Sequence, residues 1–209
     1  DLVTSIDVEL QKLVDVIISG IKLREANNPY REYMDAIYVT VMKPDSGDVL
    51  SLAGMKRTST GILYNDPVSV FTDAVVPGSV VKGATVYMGL SEGVIRPGEV
   101  IFDTPIKIKD TPAKASWKNL GNVNDLQALS MSSNVYMFNI AMRLGGADYV
   151  YNGPLNIDVS AFDTMRYYYN QFGLGMLTGI DAANEAVGYI GTSTMGGHLL
   201  DFAIGQYDT

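Results

Sequence analysis

The spacing of apolar residues predicts a long amphipathic helix near the start of the chain. From Leu10 onward, apolar side chains recur every three or four residues, which places them on one face of an α-helix. Asp7 precedes this stripe and suits a helix N-cap, and Pro29 follows its end. We therefore expect a helix over about residues 7–26, preceded by a short strand at residues 2–6.

A β-hairpin is predicted after this helix. Residues 36–42 are rich in β-branched and aromatic side chains, and the apolar residues of 48–52 follow a Pro-Asp-Ser-Gly turn at 44–47. Residues 54–72 have no clear period. We expect them to form a loop with short elements.

Helical patterns dominate the remainder of the chain. After Pro77 and Gly78, residues 79–92 predict a buried helix, and the segments 99–102 and 105–109 resemble strands. Further helices are expected at residues 124–131, 134–144, 159–172 and 196–204. One hairpin among many helices predicts an α+β (or α/β) fold with helices packed on an antiparallel sheet.

Composition narrows the class of protein. Apolar residues make up 47% of the chain and charged residues 18%, as in ordinary globular domains. The net charge of −8 and the lack of a basic run argue against nucleic-acid binding. The chain has no cysteine, which excludes disulfides and thiolate metal sites. No apolar run approaches the roughly 18 residues of a membrane span.

Ser79 and Lys82 are candidate catalytic residues. Positions three apart share one face of a helix, so the Lys82 amine can lie near the Ser79 hydroxyl. The preceding Pro77-Gly78 places Ser79 in the first helical turn, where free N–H groups and the helix dipole favour developing negative charge. Lys82 has apolar neighbours, and desolvation would favour the neutral amine that a serine nucleophile needs as its base.

The Ser-x-x-Lys pattern alone is weak evidence, because it occurs by chance roughly once in a chain of this size. Ser19 and Lys22 also match it, but they lie within the predicted first helix and lack the Pro-Gly entry. We interpret that second match as structural.

Ser132-Ser133-Asn134 is a second candidate element, located between two predicted helices. In an extended segment, residues two apart point to the same side, so Ser132 and Asn134 can face one site. Ser132 would relay a proton between Lys82 and the leaving group, and Asn134 would bind a substrate amide. Alternatively, Ser132 only caps the helix that begins near Asn134.

The two elements in this order are the signature of β-lactamases and penicillin-binding proteins. The wider sequence resembles the transpeptidase domain of class B penicillin-binding proteins, of the elongation type found in Gram-positive bacteria. The segments that carry this resemblance are Thr4–Asp7 with Leu10-Gln11, Pro44–Leu52, Val76–Thr85, Ser132–Met137, Gly173–Gly175, Thr178–Asp181 and Ala203–Gln206.

This resemblance implies a serine D,D-transpeptidase. Ser79 would attack the penultimate D-alanine carbonyl of a peptidoglycan stem peptide, with Lys82 and Ser132 as further catalytic residues and Asn134 binding substrate. β-Lactam antibiotics would acylate the same serine. No metal or organic cofactor is implied. The resemblance also implies membrane-bound cell-wall elongation machinery as partner, and a location on the outer face of the bacterial membrane, held by an N-terminal anchor outside the 209 residues.

The third family motif, Lys-Thr-Gly, is absent from this sequence. In the family it follows the Ala-Ile-Gly-Gln region, here residues 203–206, by several dozen residues. We therefore expect residues 1–209 to form one transpeptidase domain that is incomplete at its C-terminus and acylates poorly. Its sheet would lack three C-terminal strands out of five, which leaves the hairpin of strands 36–42 and 48–52 with an open edge.

Two other functions are weighed against the transpeptidase. A β-lactam sensor domain would have valine at the end of the second motif, where this chain has Asn134. A non-catalytic cell-wall scaffold would not need the four intact polar residues. The Glu-x-x-Leu-Asn pattern of class A β-lactamases is also absent, which argues against rapid hydrolysis of an acyl-enzyme.

Three aromatic or imidazole features are interpreted as structural. His198 is the one histidine of the sequence, and its glycine-rich surroundings do not suggest a Ser-His-Asp triad. Trp117 and the tyrosines at 167–169 are expected to pack in the core.

Overall fold

The computed structural model describes residues 3–25 and 33–208, which form two compact units. The first unit holds the described residues up to Asp73 together with Ala182–Ala186, and the second holds residues from Ala74 to Asp181 and from Val187 onward. The assignment of residues 1–209 to one domain stays a prediction.

The first unit packs a long helix on an antiparallel sheet. Its elements are α1 (Val8–Glu25), β1 (Ala36–Met42), β2 (Val49–Arg57), β3 (Leu63–Asn65) and α2 (Ser69–Thr72), with strand order β1-β2-β3. Val14 and Ile18 of α1 are buried together with Ala53, Met55 and Leu63 of the sheet. Val14 and Ile18 thus pack α1 on one sheet face, whereas Leu13 and Ile17 of the predicted stripe are more than half exposed.

Asp7 caps α1 as predicted, since its Oδ1 atom accepts hydrogen bonds from the backbone N–H of Glu9 and Leu10 at 3.0 Å. The strand predicted before it is wrong for residues 3–6, which are not paired as a strand. Leu2 and the predicted helix stop at 27–29 lie outside the described residues.

The hairpin prediction is confirmed for β1 but was too short for the second strand. β2 continues to Arg57 because its later residues pair with β1 as far as Lys56 and with β3 from Met55 onward. β3 is one of the short elements expected within residues 54–72. Leu63 at the start of β3 is buried in the core of this unit.

The second unit is mainly helical. Its elements are a 3-10 turn (Gly78–Val81), α3 (Lys82–Ser91), β4 (Ile101–Asp103), β5 (Gly121–Val123), α4 (Asp125–Ser130), α5 (Asn134–Leu144), α6 (Ser160–Asn170) and α7 (Gly196–Phe202). Helix α5 is apolar on nearly all sides and lies at the centre of the core, with Met137, Ile140 and Ala141 fully buried. The four predicted helices from residue 124 onward are confirmed.

Two predictions in this unit need correction. The helix expected from residue 79 begins as a 3-10 turn and becomes α-helical only at Lys82. The strand predicted at 99–102 begins two residues later and ends one residue later. The one predicted at 105–109 is reduced to isolated bridges at Ile106 and Ile108. No helix within the described ranges has both the length and the apolar character needed to cross a bilayer.

Candidate active site

Ser79 lies in the 3-10 turn that leads into α3, and its side chain is exposed. Gly78 and Gly205 hold this turn in place. The Gly78 N–H donates to the Gly205 carbonyl at 2.9 Å, and both glycines have positive φ, of 62° and 71°. A Cβ on Gly205 would lie 2.3 Å from the Gly78 carbonyl oxygen. Only glycine permits this backbone contact directly before the candidate nucleophile.

Lys82 begins α3 one turn after Ser79 and is 2% exposed. Its ammonium donates three hydrogen bonds, to the Ser132 carbonyl (2.9 Å), Ser132 Oγ (2.9 Å) and Asn134 Oδ1 (2.6 Å). Burial lowers the pKa of Lys82 from its ordinary value to about 8, and the negative charge of Asp103 opposes this shift. The expected desolvation of this lysine is therefore present.

Ser132 connects Lys82 to Ser79. Its hydroxyl donates to Ser79 Oγ at 3.2 Å while accepting from Lys82. Among the described residues, Lys82 makes no hydrogen bond to Ser79, so the direct Ser79–Lys82 contact expected from the helical spacing is replaced by a chain through Ser132.

Ser132 occupies the left-handed region of the backbone, with φ of 55°. This conformation is costly for a residue with a Cβ and often marks a functional site. The next residue, Ser133, is the true N-cap of α5, since its Oγ accepts from the N–H of Tyr136 at 3.0 Å. The interpretation of Ser132 as a helix cap is therefore wrong.

Asn134 is the first residue of α5. Its Oδ1 atom accepts from Lys82, and its Nδ2 atom donates to the carbonyl of Ala115 at 3.0 Å. The amide therefore has one donor hydrogen left for a ligand carbonyl.

Sequence reasoning missed a buried network behind these residues. Asp103 is 2% exposed and accepts hydrogen bonds from the hydroxyls of Ser116 and Ser133. A signal was present, because Asp103 shares the core-facing side of its strand with the buried Ile101. A charged residue at a core-facing position needs partners.

Some of the aromatic residues predicted to pack in the core are buried, and others are exposed. Tyr169 is buried as expected, whereas Tyr167 is 65% exposed. Trp117 is 69% exposed, and its Nε1–H donates to the Met131 carbonyl at 3.0 Å, so the core prediction for Trp117 is wrong. Its position beside Ser132 is set by this one hydrogen bond and not by burial.

His198 stacks on Tyr207 with ring centroids 5.0 Å apart, and its Nδ1 atom is buried without a hydrogen-bond partner among the described residues. It makes no contact with Ser79 in that part of the chain, in agreement with a structural role. No group of three or more carboxylate or imidazole side chains in the described ranges is arranged to hold a metal ion.

The model of the penicillin binding protein transpeptidase domain family matches residues 37–209. The chain belongs to this family. Penicillin-binding protein 2A of Bacillus subtilis is 47% identical over 214 residues, and Peptidoglycan D,D-transpeptidase MrdA of Escherichia coli is 24% identical over 201 residues. These alignments cover 100% and 92% of the chain, and 30% and 29% of the relatives. The chain thus spans about a third of the length of the curated relatives it matches.

A solved structure of a transpeptidase relative has the same fold. Penicillin-binding protein 2B of Streptococcus pneumoniae R6 superposes with a TM-score of 0.90 at 31% identity, over 98% of this chain and 34% of the other. The resemblance to class B penicillin-binding proteins and the α+β fold prediction are thereby confirmed. The roles of Ser79, Lys82, Ser132 and Asn134 stay predictions.

Proposed function

We propose that this chain carries the acylation site of a D,D-transpeptidase that cross-links peptidoglycan stem peptides through an acyl-enzyme on Ser79. The observation that carries this proposal is the hydrogen-bonded chain from Lys82 through Ser132 to Ser79, in a member of the transpeptidase family. A serine hydroxyl linked to a buried amine of lowered pKa is an activated nucleophile.

In the proposed acylation, Ser79 Oγ attacks the carbonyl carbon of the penultimate D-alanine. The Ser79 proton moves to Ser132, whose own proton passes to the neutral amine of Lys82. Hydroxyl protons rotate freely, so Ser132 can reverse the direction of its bonds. As the peptide bond breaks, the same path returns a proton to the departing D-alanine amine.

The second half-reaction uses the same groups. An amine of a neighbouring stem peptide attacks the acyl-enzyme carbonyl, loses a proton along the Ser132 path, and restores the Ser79 hydroxyl. Asn134 Nδ2 would donate its free hydrogen to a carbonyl of the donor peptide, which orients the reacting bond. A β-lactam offers a strained amide to the same serine and forms the same type of ester.

The proposed partners are therefore stem peptides ending in D-Ala-D-Ala, β-lactam antibiotics and the membrane-bound elongation machinery. The proposed location is the outer face of the bacterial membrane, where these substrates lie. A β-lactam sensor and a non-catalytic scaffold are the alternatives. Asn134 at the end of the second motif and the connected polar residues favour the transpeptidase over both.

Peptide mapping tests the assignment. We expect the natural protein that carries this sequence to form a penicillin adduct on the peptide containing Ser79. An adduct on Ser19 or another serine would contradict it. Incubation with a D-Ala-D-Ala peptide and an amine acceptor separates the alternatives, because a transpeptidase forms a new amide, a sensor stops at the acyl-enzyme and a scaffold forms neither.

The pKa of Lys82 predicts the pH dependence of acylation. The amine acts as base only when neutral, and with a pKa of about 8 roughly one tenth is neutral at pH 7 and nine tenths at pH 9. The acylation rate should therefore rise about tenfold from pH 7 to pH 9. Stopped-flow measurement with a fluorescent penicillin checks this. A rate that is flat or falls over this range would contradict the role of Lys82.

A further inference from the structure

A buried carboxylate lies behind the segment that carries Ser132 and Asn134. Asp103 ends strand β4 and is 2% exposed. Its Oδ2 atom accepts hydrogen bonds from Ser116 Oγ and Ser133 Oγ, both at 2.6 Å. Short bonds of this kind stabilise an ionised carboxylate that burial would otherwise disfavour.

These two hydrogen bonds determine whether the serine hydroxyls act as donors or acceptors toward helix α5. A serine has one O–H, so each serine that donates to Asp103 acts toward the helix as an acceptor. Ser116 Oγ accepts from the N–H of Asn134 and Val135, at 2.9 and 3.3 Å, and Ser133 Oγ accepts from a third N–H. Three of the donors that a helix leaves unpaired at its start are thereby satisfied.

The charge of the Asp103 carboxylate acts on the start of helix α5 and on Lys82. It lies near the N-terminus of α5, where negative charge is favourable. It also acts on Lys82, whose pKa it raises against the effect of burial. Within the described ranges, Asp103 is the charged group whose field acts on the Lys82 amine.

We propose that Asp103 is a positioning residue for acylation. Its carboxylate orients Ser116 and Ser133, these two hydroxyls fix the first turn of α5, and that turn holds Ser132 and Asn134 against Lys82. Asp103 touches neither the nucleophile nor the proton path. This inference rests on the proposed function of Ser79.

The test compares Asp103→Asn with Asp125→Asn. Both carboxylates are buried in the same unit, but Asp125 accepts from the Gly98 N–H and bonds neither serine. The acylation rate by a fluorescent penicillin is measured from pH 6 to pH 10 in the natural protein that carries this sequence. In parallel, NMR of lysines labelled with ¹³C at Cε follows the Lys82 titration, with the signal assigned by its loss in Lys82→Arg.

Two effects are expected in Asp103→Asn. The plateau rate at high pH falls about tenfold or more, because a neutral amide oxygen accepts the two serine hydrogen bonds more weakly than a carboxylate does, so Ser132 and Asn134 are held less firmly. The midpoint of the pH profile and of the Lys82 titration moves to lower pH, because the charge that favoured the ammonium is gone. Asp125→Asn should leave both midpoints in place.

Wild-type hydrogen exchange of the Asn134 and Val135 N–H groups in Asp103→Asn would overturn the proposal even if the plateau falls, since lost stability alone can lower a plateau. A shifted midpoint with a wild-type plateau would also overturn it, because Asp103 would then act by charge and not by position. Failure of the wild-type protein to acylate would contradict the proposed function instead. In that case the NMR titration and the hydrogen exchange of the Asn134 and Val135 N–H groups test the positioning role of Asp103. Faster exchange in Asp103→Asn is expected, and exchange at the wild-type rate would contradict that role.

Discussion

Replacement of Lys82 by alanine is expected to slow the acylation of Ser79 by roughly 100-fold or more, the usual scale for a lost general base. The buried amine is the group that can accept the Ser79 proton through Ser132. Its loss leaves the hydroxyl without a base of suitable pKa. The measurement is the rate of labelling by a fluorescent penicillin at pH 8, followed at enzyme excess.

The chain supplies a control for this variant. Lys22 ends the second Ser-x-x-Lys match, within α1, and Lys22→Ala should label at the wild-type rate. Equal rates for the two alanine variants would show that Lys82 is not the base. A melting curve accompanies each variant, because Lys82→Ala also leaves acceptors on Ser132 and Asn134 without their donor.

Gly205→Ala is expected to reduce both stability and acylation. Alanine in a left-handed conformation costs about 1–2 kcal/mol, and the clash with the Gly78 carbonyl adds an overpacking cost of about 1–3 kcal/mol. We therefore expect the free energy of unfolding to fall by about 3 kcal/mol. Any shift of Gly78 also moves Ser79, and a displacement of about 1 Å can reduce a rate roughly 100-fold.

Gly93→Ala is the matched control. Gly93 has φ of 69°, close to the 71° of Gly205, but a Cβ there would meet nothing within 4 Å. The free energy of unfolding of Gly93→Ala should fall only by the cost of the backbone conformation, about 1–2 kcal/mol, and its acylation rate should stay at the wild-type value. Urea unfolding and fluorescent labelling measure the two effects. If both variants behave alike, the Gly78–Gly205 contact does not position the nucleophile.

The helices and the site motifs were predictable because their signals are local. Helical patterns in the sequence identified α5 and α6. The residue types of Ser79, Lys82, Ser132 and Asn134 indicate their chemistry independently of the fold. The structure brings these four residues together. Burial of Lys82 followed from its valine and alanine neighbours.

The remaining features depend on contacts between distant parts of the chain. Asp103 lies 30 residues before Ser133, and nothing in the local pattern indicates that they meet. Strand β3 has three residues, too few to show a period, and it is defined by its pairing with β2. The turn that carries Ser79 is bonded through Gly78 to Gly205, more than one hundred residues later.

The exposed position of Trp117 has a practical consequence for observing this site. Residues 1–209 contain one tryptophan, so within them selective excitation of indole reports on a single location. The Trp117 indole N–H donates a hydrogen bond to the carbonyl of Met131, the residue before Ser132, and the Lys118 amine lies 4.3 Å from the centre of the ring. Intrinsic emission is sensitive to both contacts. Trp117 is therefore an optical probe beside the segment that carries Ser132, and the binding of unlabelled ligands can be followed through its emission in real time.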